Sequence, residues 1–168
     1  MKKLNYLLSL AVLVIILASA GCGGSSDPGI PADDQVGAKL TSVWKIDGNT
    51  PNSVTFGSPS QDRTSDYSDF TLTITYDPTN NIGTYLIANG PSDGTRPFPS
   101  SMDTWSFSSD IVDPAMTIFP ITRDIDDLSM NVELSESSLQ LSFYLPEGGT
   151  TSRTEAVVGE WFFSFVRQ

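Results

Sequence analysis

A chain of 168 residues with 20 acidic and nine basic side chains, no histidine and a single cysteine excludes several chemistries before any pattern is read. Ser-His-Asp and Cys-His catalysis need imidazole, and the common zinc and transition-metal sites need imidazole or thiolate. A net charge of −11 repels phosphates, so nucleic acid is not expected as a partner.

In chain order, Lys2 and Lys3 precede an apolar run from Leu7 to Leu17, and Ala18-Ser19-Ala20-Gly21 are small. This is the pattern of a cleavable export signal. The run is shorter than the roughly 20 apolar residues of a permanent membrane span, so residues 1–21 are expected to be removed. Ser19-Ala20-Gly21-Cys22 resembles the bacterial lipobox, in which small residues precede a lipidated cysteine; Ser19 stands where leucine is usual. The resemblance implies that Cys22 becomes the acylated, palmitate-bearing first residue of a lipoprotein. Loss of Lys2 and Lys3, with no acid lost, leaves seven basic against 20 acidic residues, a charge of −13. Such a surface does not approach anionic headgroups by itself, so the lipid must supply membrane attachment. Residues 22–37, rich in Gly, Pro, Ser and Asp, are expected to form a flexible tether. Gly23 rather than Asp follows Cys22, which resembles lipoproteins sorted to the cell outer membrane.

From residue 38 to 168 a single domain is expected, and its dominant period is two, the mark of half-buried strands. Thr41–Asp47 opens it. Phe70, Leu72, Ile74 and Tyr76 alternate with threonines, Asp77–Asn81 is turn chemistry, and Ile82–Ala88 returns as an antiparallel partner. Further strands are expected at Asp103–Ser108, Met116–Thr122, Leu128–Leu134, Leu139–Leu145 and Val157–Arg167. No segment shows a sustained helical stripe. About eight short strands with Gly and Pro in the connections predict an all-β, antiparallel up-and-down meander, closed as a barrel or folded as a sandwich.

Ser58–Asp69 and Asn89–Ser101 are the long polar loops, where function sits on rigid scaffolds. Tyr67, Phe98 and Met102 are the candidate ligand contacts they offer. Trp44, Trp105 and Trp161 fall in strand registers beside apolar neighbours and are assigned to the core. Asp124, Asp126 and Asp127 form the densest acidic cluster, but lack the glycine-containing spacing and ligand number of a calcium loop. They are assigned to a solvated turn, and no metal or cofactor is expected.

Trp44, the Thr104-Trp105-Ser106-Phe107 strand, the Leu128–Leu134 and Leu139–Phe143 hairpin, and Gly159-Glu160-Trp161-Phe162-Phe163 together resemble the lipocalin-like β-barrel lipoproteins of the Bacteroidetes. The resemblance covers roughly residues 38–168 and implies fold and envelope location more than activity. It departs from true lipocalins in carrying Ser42-Val43-Trp44 where they have Gly-x-Trp.

These features lead to the expectation of a lipid-anchored, non-enzymatic envelope protein that binds a small hydrophobic or glycan ligand, or an envelope protein partner. An accessory envelope protein without a ligand is the alternative, and a carboxylate-based glycosidase is a further one. A connected apolar cavity inside the barrel would favour ligand binding; a filled interior would favour the accessory role.

Overall fold

A computed structural model describes residues 29–91, 96–98, 100–147 and 157–168. The expected leader, Cys22 and the first part of the expected tether lie outside these residues. The compact unit runs from Pro31 to Gln168. It comprises helix α1 (Ala32–Leu40), strands β1 (Ser42–Ile46), β2 (Val54–Phe56), β3 (Gln61–Asp62), β4 (Thr71–Asp77), β5 (Ile82–Ala88), β6 (Met102–Phe107), β7 (Ile118–Arg123), β8 (Leu128–Leu134), β9 (Ser138–Leu145) and β10 (Gly159–Arg167), and a 3-10 turn at Thr64–Tyr67.

Among the described residues, the domain is an all-β antiparallel barrel closed by eight strands, with one short helix. From β4 to β10 each strand pairs with the next in sequence, apart from the return to β1, which lies between β4 and β10. The seam matches Trp44 with Arg167 and Ile46 with Phe165. The β2–β3 hairpin is not part of this circuit. It continues the wall along the same edge of β10, with Thr55 opposite Phe162, where β1 has ended. The simple eight-strand meander expected from the sequence is therefore interrupted between β1 and β4, because Val54–Phe56 and Gln61–Asp62 are too short to show a period of two.

Alternation in the sequence becomes inside and outside in the barrel. In β8, Leu128, Met130, Val132 and Leu134 are buried and the residues between them exposed. The inward set is unusually aromatic: Trp44, Trp105, Tyr67, Phe70, Phe98, Phe119, Phe163 and Phe165 are each at most 1% exposed. Phe163 is the hub, with ring centroids at 5.3 Å from Tyr67, 5.6 Å from Phe98, 5.7 Å from Trp161 and 5.9 Å from Phe165. A buried ring removes about 150–250 Å² from water, so this cluster is a principal source of the fold's stability.

Residues 32–37, expected as the end of the tether, belong to α1, and the absence of helix expected from periodicity is corrected here. Ala32, Val36 and Leu40 recur every fourth residue, and Val36 and Leu40 are fully covered. Asp33 and Asp34 lie in the first turn and Lys39 in the last, both favourable to the helix dipole. Such a short amphipathic segment depends on its packing, here against β4. Gly37 makes this possible, because a Cβ there would run into the Tyr76 ring. Tyr76 stacks in turn on Trp105, centroids 5.9 Å apart. The Trp105 indole lies flat over Gly83, leaving no room for a methyl.

Gly83→Ala is therefore expected to destabilise the domain by about 1–3 kcal/mol through overpacking. Urea unfolding followed by tryptophan fluorescence checks this: the midpoint should fall with an unchanged slope.

Candidate functional site

The barrel end remote from α1 carries the 3-10 turn, the β5–β6 loop and the β7–β8 turn. Two of the proposed ligand contacts are found there, but they point inward. Tyr67 is 1% exposed and packs edge-on against Phe70 at 5.6 Å, while Phe98, also 1% exposed, stacks on Phe70 at 5.6 Å. Both rings plug the barrel rather than offering a face to solvent. The polar composition of their loops concealed this, since a single aromatic in a polar segment has no period to reveal its direction.

Phe98 is held in place by two arginines. Arg96 Nε donates to the Phe98 carbonyl at 3.0 Å, and Arg123 Nη1 donates to the Pro97 carbonyl at 3.1 Å. The Arg123 side chain is wholly buried and forms a fork to Asp126, with Nε to Oδ1 at 2.9 Å and Nη2 to Oδ2 at 2.7 Å. Its guanidinium also lies 5.7 Å from the centre of the Phe98 ring. Burial lowers the arginine's pKa, and the neighbouring Tyr85 and Asp103 partly restore it. Asp126 thus leaves the solvated turn to which it was assigned. Of its neighbours, Asp124 accepts from Thr104 Oγ1, while Asp103 across the gap accepts from the Ile125 amide at 3.1 Å. These acids fasten a turn.

The Tyr85 hydroxyl is buried beside this pair, facing the Arg123 guanidinium. Burial raises its pKa from 10.0 to about 12. A folded-state pKa above the unfolded value contributes stability that is full below the unfolded pKa and lost as pH rises to the folded one. Burial raises the pKa values of Tyr67 and Tyr76 as well, so the domain should weaken between pH 10 and about 12, with Tyr85→Phe removing part of that decline in denaturant titrations across the interval. Asp126→Ala should cost about 3–5 kcal/mol by stranding a buried charge, and replacing Arg123 by Met in the same chain should recover part of that loss on thermal melting.

Met102, the third proposed contact, is on the outside of the barrel and 64% exposed. It is opposite Leu86, itself opposite Thr73, which faces Val43. The structure therefore does not bring Tyr67, Phe98 and Met102 together.

A different part of the outer wall forms a recess. Asn131, Ser142, Phe162 and Thr55 stand in one register row across β8, β9, β10 and β2, with Tyr144 opposite Glu160 in the adjacent row. The β2–β3 turn rises beside them through Gly57 and Ser60, enclosing a groove of ≈ 340 Å³. Gly57 adopts φ 84°, the left-handed conformation this turn needs. Tyr144 is 58% exposed, and Phe162 is half-buried at the floor. The sequence placed these residues at outward positions, but their neighbours across β2 could not be read without the β2–β3 hairpin.

A second groove, ≈ 460 Å³, lies beside α1 and is lined by Lys39, Met116, Leu134, Glu136 and Arg167 among others. Its cations are already engaged: Lys39 Nζ donates to the Pro114 carbonyl at 2.6 Å, and Arg167 Nη2 donates to the Lys39 carbonyl.

In comparisons with known proteins, the chain matches no family model, no curated protein and no solved structure.

Proposed function

We propose that this chain is a lipoprotein of the bacterial cell envelope, anchored through acyl chains on Cys22, whose barrel is a non-enzymatic module that binds through its outer wall. The Bacteroidetes-type, lipocalin-like resemblance of the sequence supports this reading, as do the export signal and lipobox-like segment. The observation that carries it is the packing of aromatic rings across the interior. Among the described residues, Trp44, Tyr67, Phe70, Phe98, Phe119, Phe163 and Phe165 are each at most 1% exposed, and this packing of rings supports recognition outside the barrel over recognition within it. Recognition is thereby shifted to the surface, where the β8–β9–β10–β2 recess offers both shape and open polar groups. The same packing also favours the accessory reading, in which the wall meets no ligand.

Two measurements test the proposal. Cys22→Ala should abolish incorporation of radiolabelled palmitate, and undiminished labelling would overturn the anchor. A fluorescent fatty-acid analogue titrated into the full-length chain should show no saturable binding. Saturation accompanied by a change in tryptophan emission would place a ligand inside the barrel and sink the outer-wall reading.

A further inference from the structure

The outward rows of this barrel differ in how their polar side chains are used. Between β4 and β5 the hydroxyls of Thr75 and Thr84 bond to each other. Between β6 and β7, Ser108 and Thr122 do the same at 2.7 Å, and Thr104 binds Asp124 beyond them. In the β8–β9–β10–β2 recess the matching neighbours do not pair, nor, among the described residues, do Glu133, Gln140 and Ser164 in the outward row beyond it; what sets the recess apart is the aromatic side chains that accompany its open polar groups. Asn131 and Ser142 are opposite one another, yet among the described residues neither side chain makes a hydrogen bond, and nor do those of Thr55, Ser60, Tyr144 or Glu160. Donors and acceptors are thus left open around an exposed phenol ring and a half-buried phenyl floor.

We infer that this recess is a saccharide site that takes a neutral, hydroxylated sugar unit of a longer glycan, with Tyr144 as its stacking platform. The inference rests on the outer-wall reading above and names its ligand class. A pyranose presents an apolar C–H face and a rim of hydroxyls, which matches a ring face bordered by an amide, hydroxyls and a carboxylate. Among the described residues, Glu160 is the only charged side chain lining the groove, and its carboxylate repels a uronic acid or a phosphate. A volume of ≈ 340 Å³ lies at the small end of the roughly 300–1,000 Å³ of small-molecule sites. A protein partner would need about 800 Å² of its surface covered, for which a narrow recess is poorly shaped.

The test is titration calorimetry of the full-length chain in detergent micelles against a panel of neutral α- and β-linked hexose and pentose oligosaccharides, with oligogalacturonate as the acidic control. A neutral member of the panel should bind and the acidic control should not. Tyr144→Ala should weaken binding about tenfold, a loss of roughly 1.4 kcal/mol, with an unchanged melting temperature. Tyr144→Phe should retain most of the affinity, and Asn131→Ala should weaken it without touching the ring. Binding that survives Tyr144→Ala, preference for the acidic sugar, or silence across the neutral panel at millimolar concentration overturns the inference. Silence here, with no fatty-acid site in the barrel, leaves the outer-wall reading standing; saturable fatty-acid binding removes both.

Discussion

At the seam of the barrel, Trp44 of β1 and Arg167 of β10 stand opposite each other, and both reach back to the end of α1. Trp44 Nε1 donates to the Leu40 carbonyl at 2.9 Å, and Arg167 Nη2 donates to the Lys39 carbonyl. The arginine's guanidinium lies 4.7 Å over the indole, adding a cation–π contact. Helix C-termini leave carbonyls without intrahelical donors. Here those carbonyls are satisfied by the two residues that close the sheet. Thr41 adds its amide and hydroxyl to the Gly37 carbonyl, each at 3.0 Å. Arg167 thereby ties the helix end to the strand that closes the barrel, and Trp44 ties it to the strand that follows the helix.

The aromatic interior follows from that closure. A barrel of eight strands encloses a space that side chains can just fill, and this chain fills it mainly with rings from β1, β6, β7 and β10, completed by Tyr67 and Phe98 from the loops. The loop rings are costly to order unless their backbone is held. Arg123 and Asp126 perform that task for Phe98, through a buried fork and a hydrogen bond to Pro97. Outside these rings, the barrel wall faces solvent. Its recess exists because β2 and β3 extend the wall alongside β10.

Much of the architecture was legible where the sequence repeats. The alternation of Leu128, Met130, Val132 and Leu134, and of Leu139, Leu141, Phe143 and Leu145, sets both register and facing. The three tryptophans were also legible as core, since each lies in a strand beside apolar neighbours. What escaped had no period long enough to read. Helix α1 shows three apolar residues within a polar stretch, the β2–β3 hairpin is short, and Tyr67 and Phe98 sit alone in polar loops. Asp126 looked like one acid among several because its partner, Arg123, belongs to the preceding strand and its burial depends on a loop passing above. The recess was invisible for a related reason: outward positions were known, but the fourth strand of its row was not.

The bond from Arg167 to Lys39 spans 128 residues of sequence, and this separation bears on how the domain is made. Pairing distant segments carries the entropy of closing the loop between them before any contact rewards it. Until β10 meets β1, both present bare strand edges, and the Trp161, Phe163 and Phe165 face of β10 is covered only in part, by rings such as Phe143 of β9. Such edges recruit other chains as readily as their own partner. The interval between emergence of the two seam strands is thus the time when this protein is most exposed to aggregation, and when a chaperone that shields strand edges would matter most.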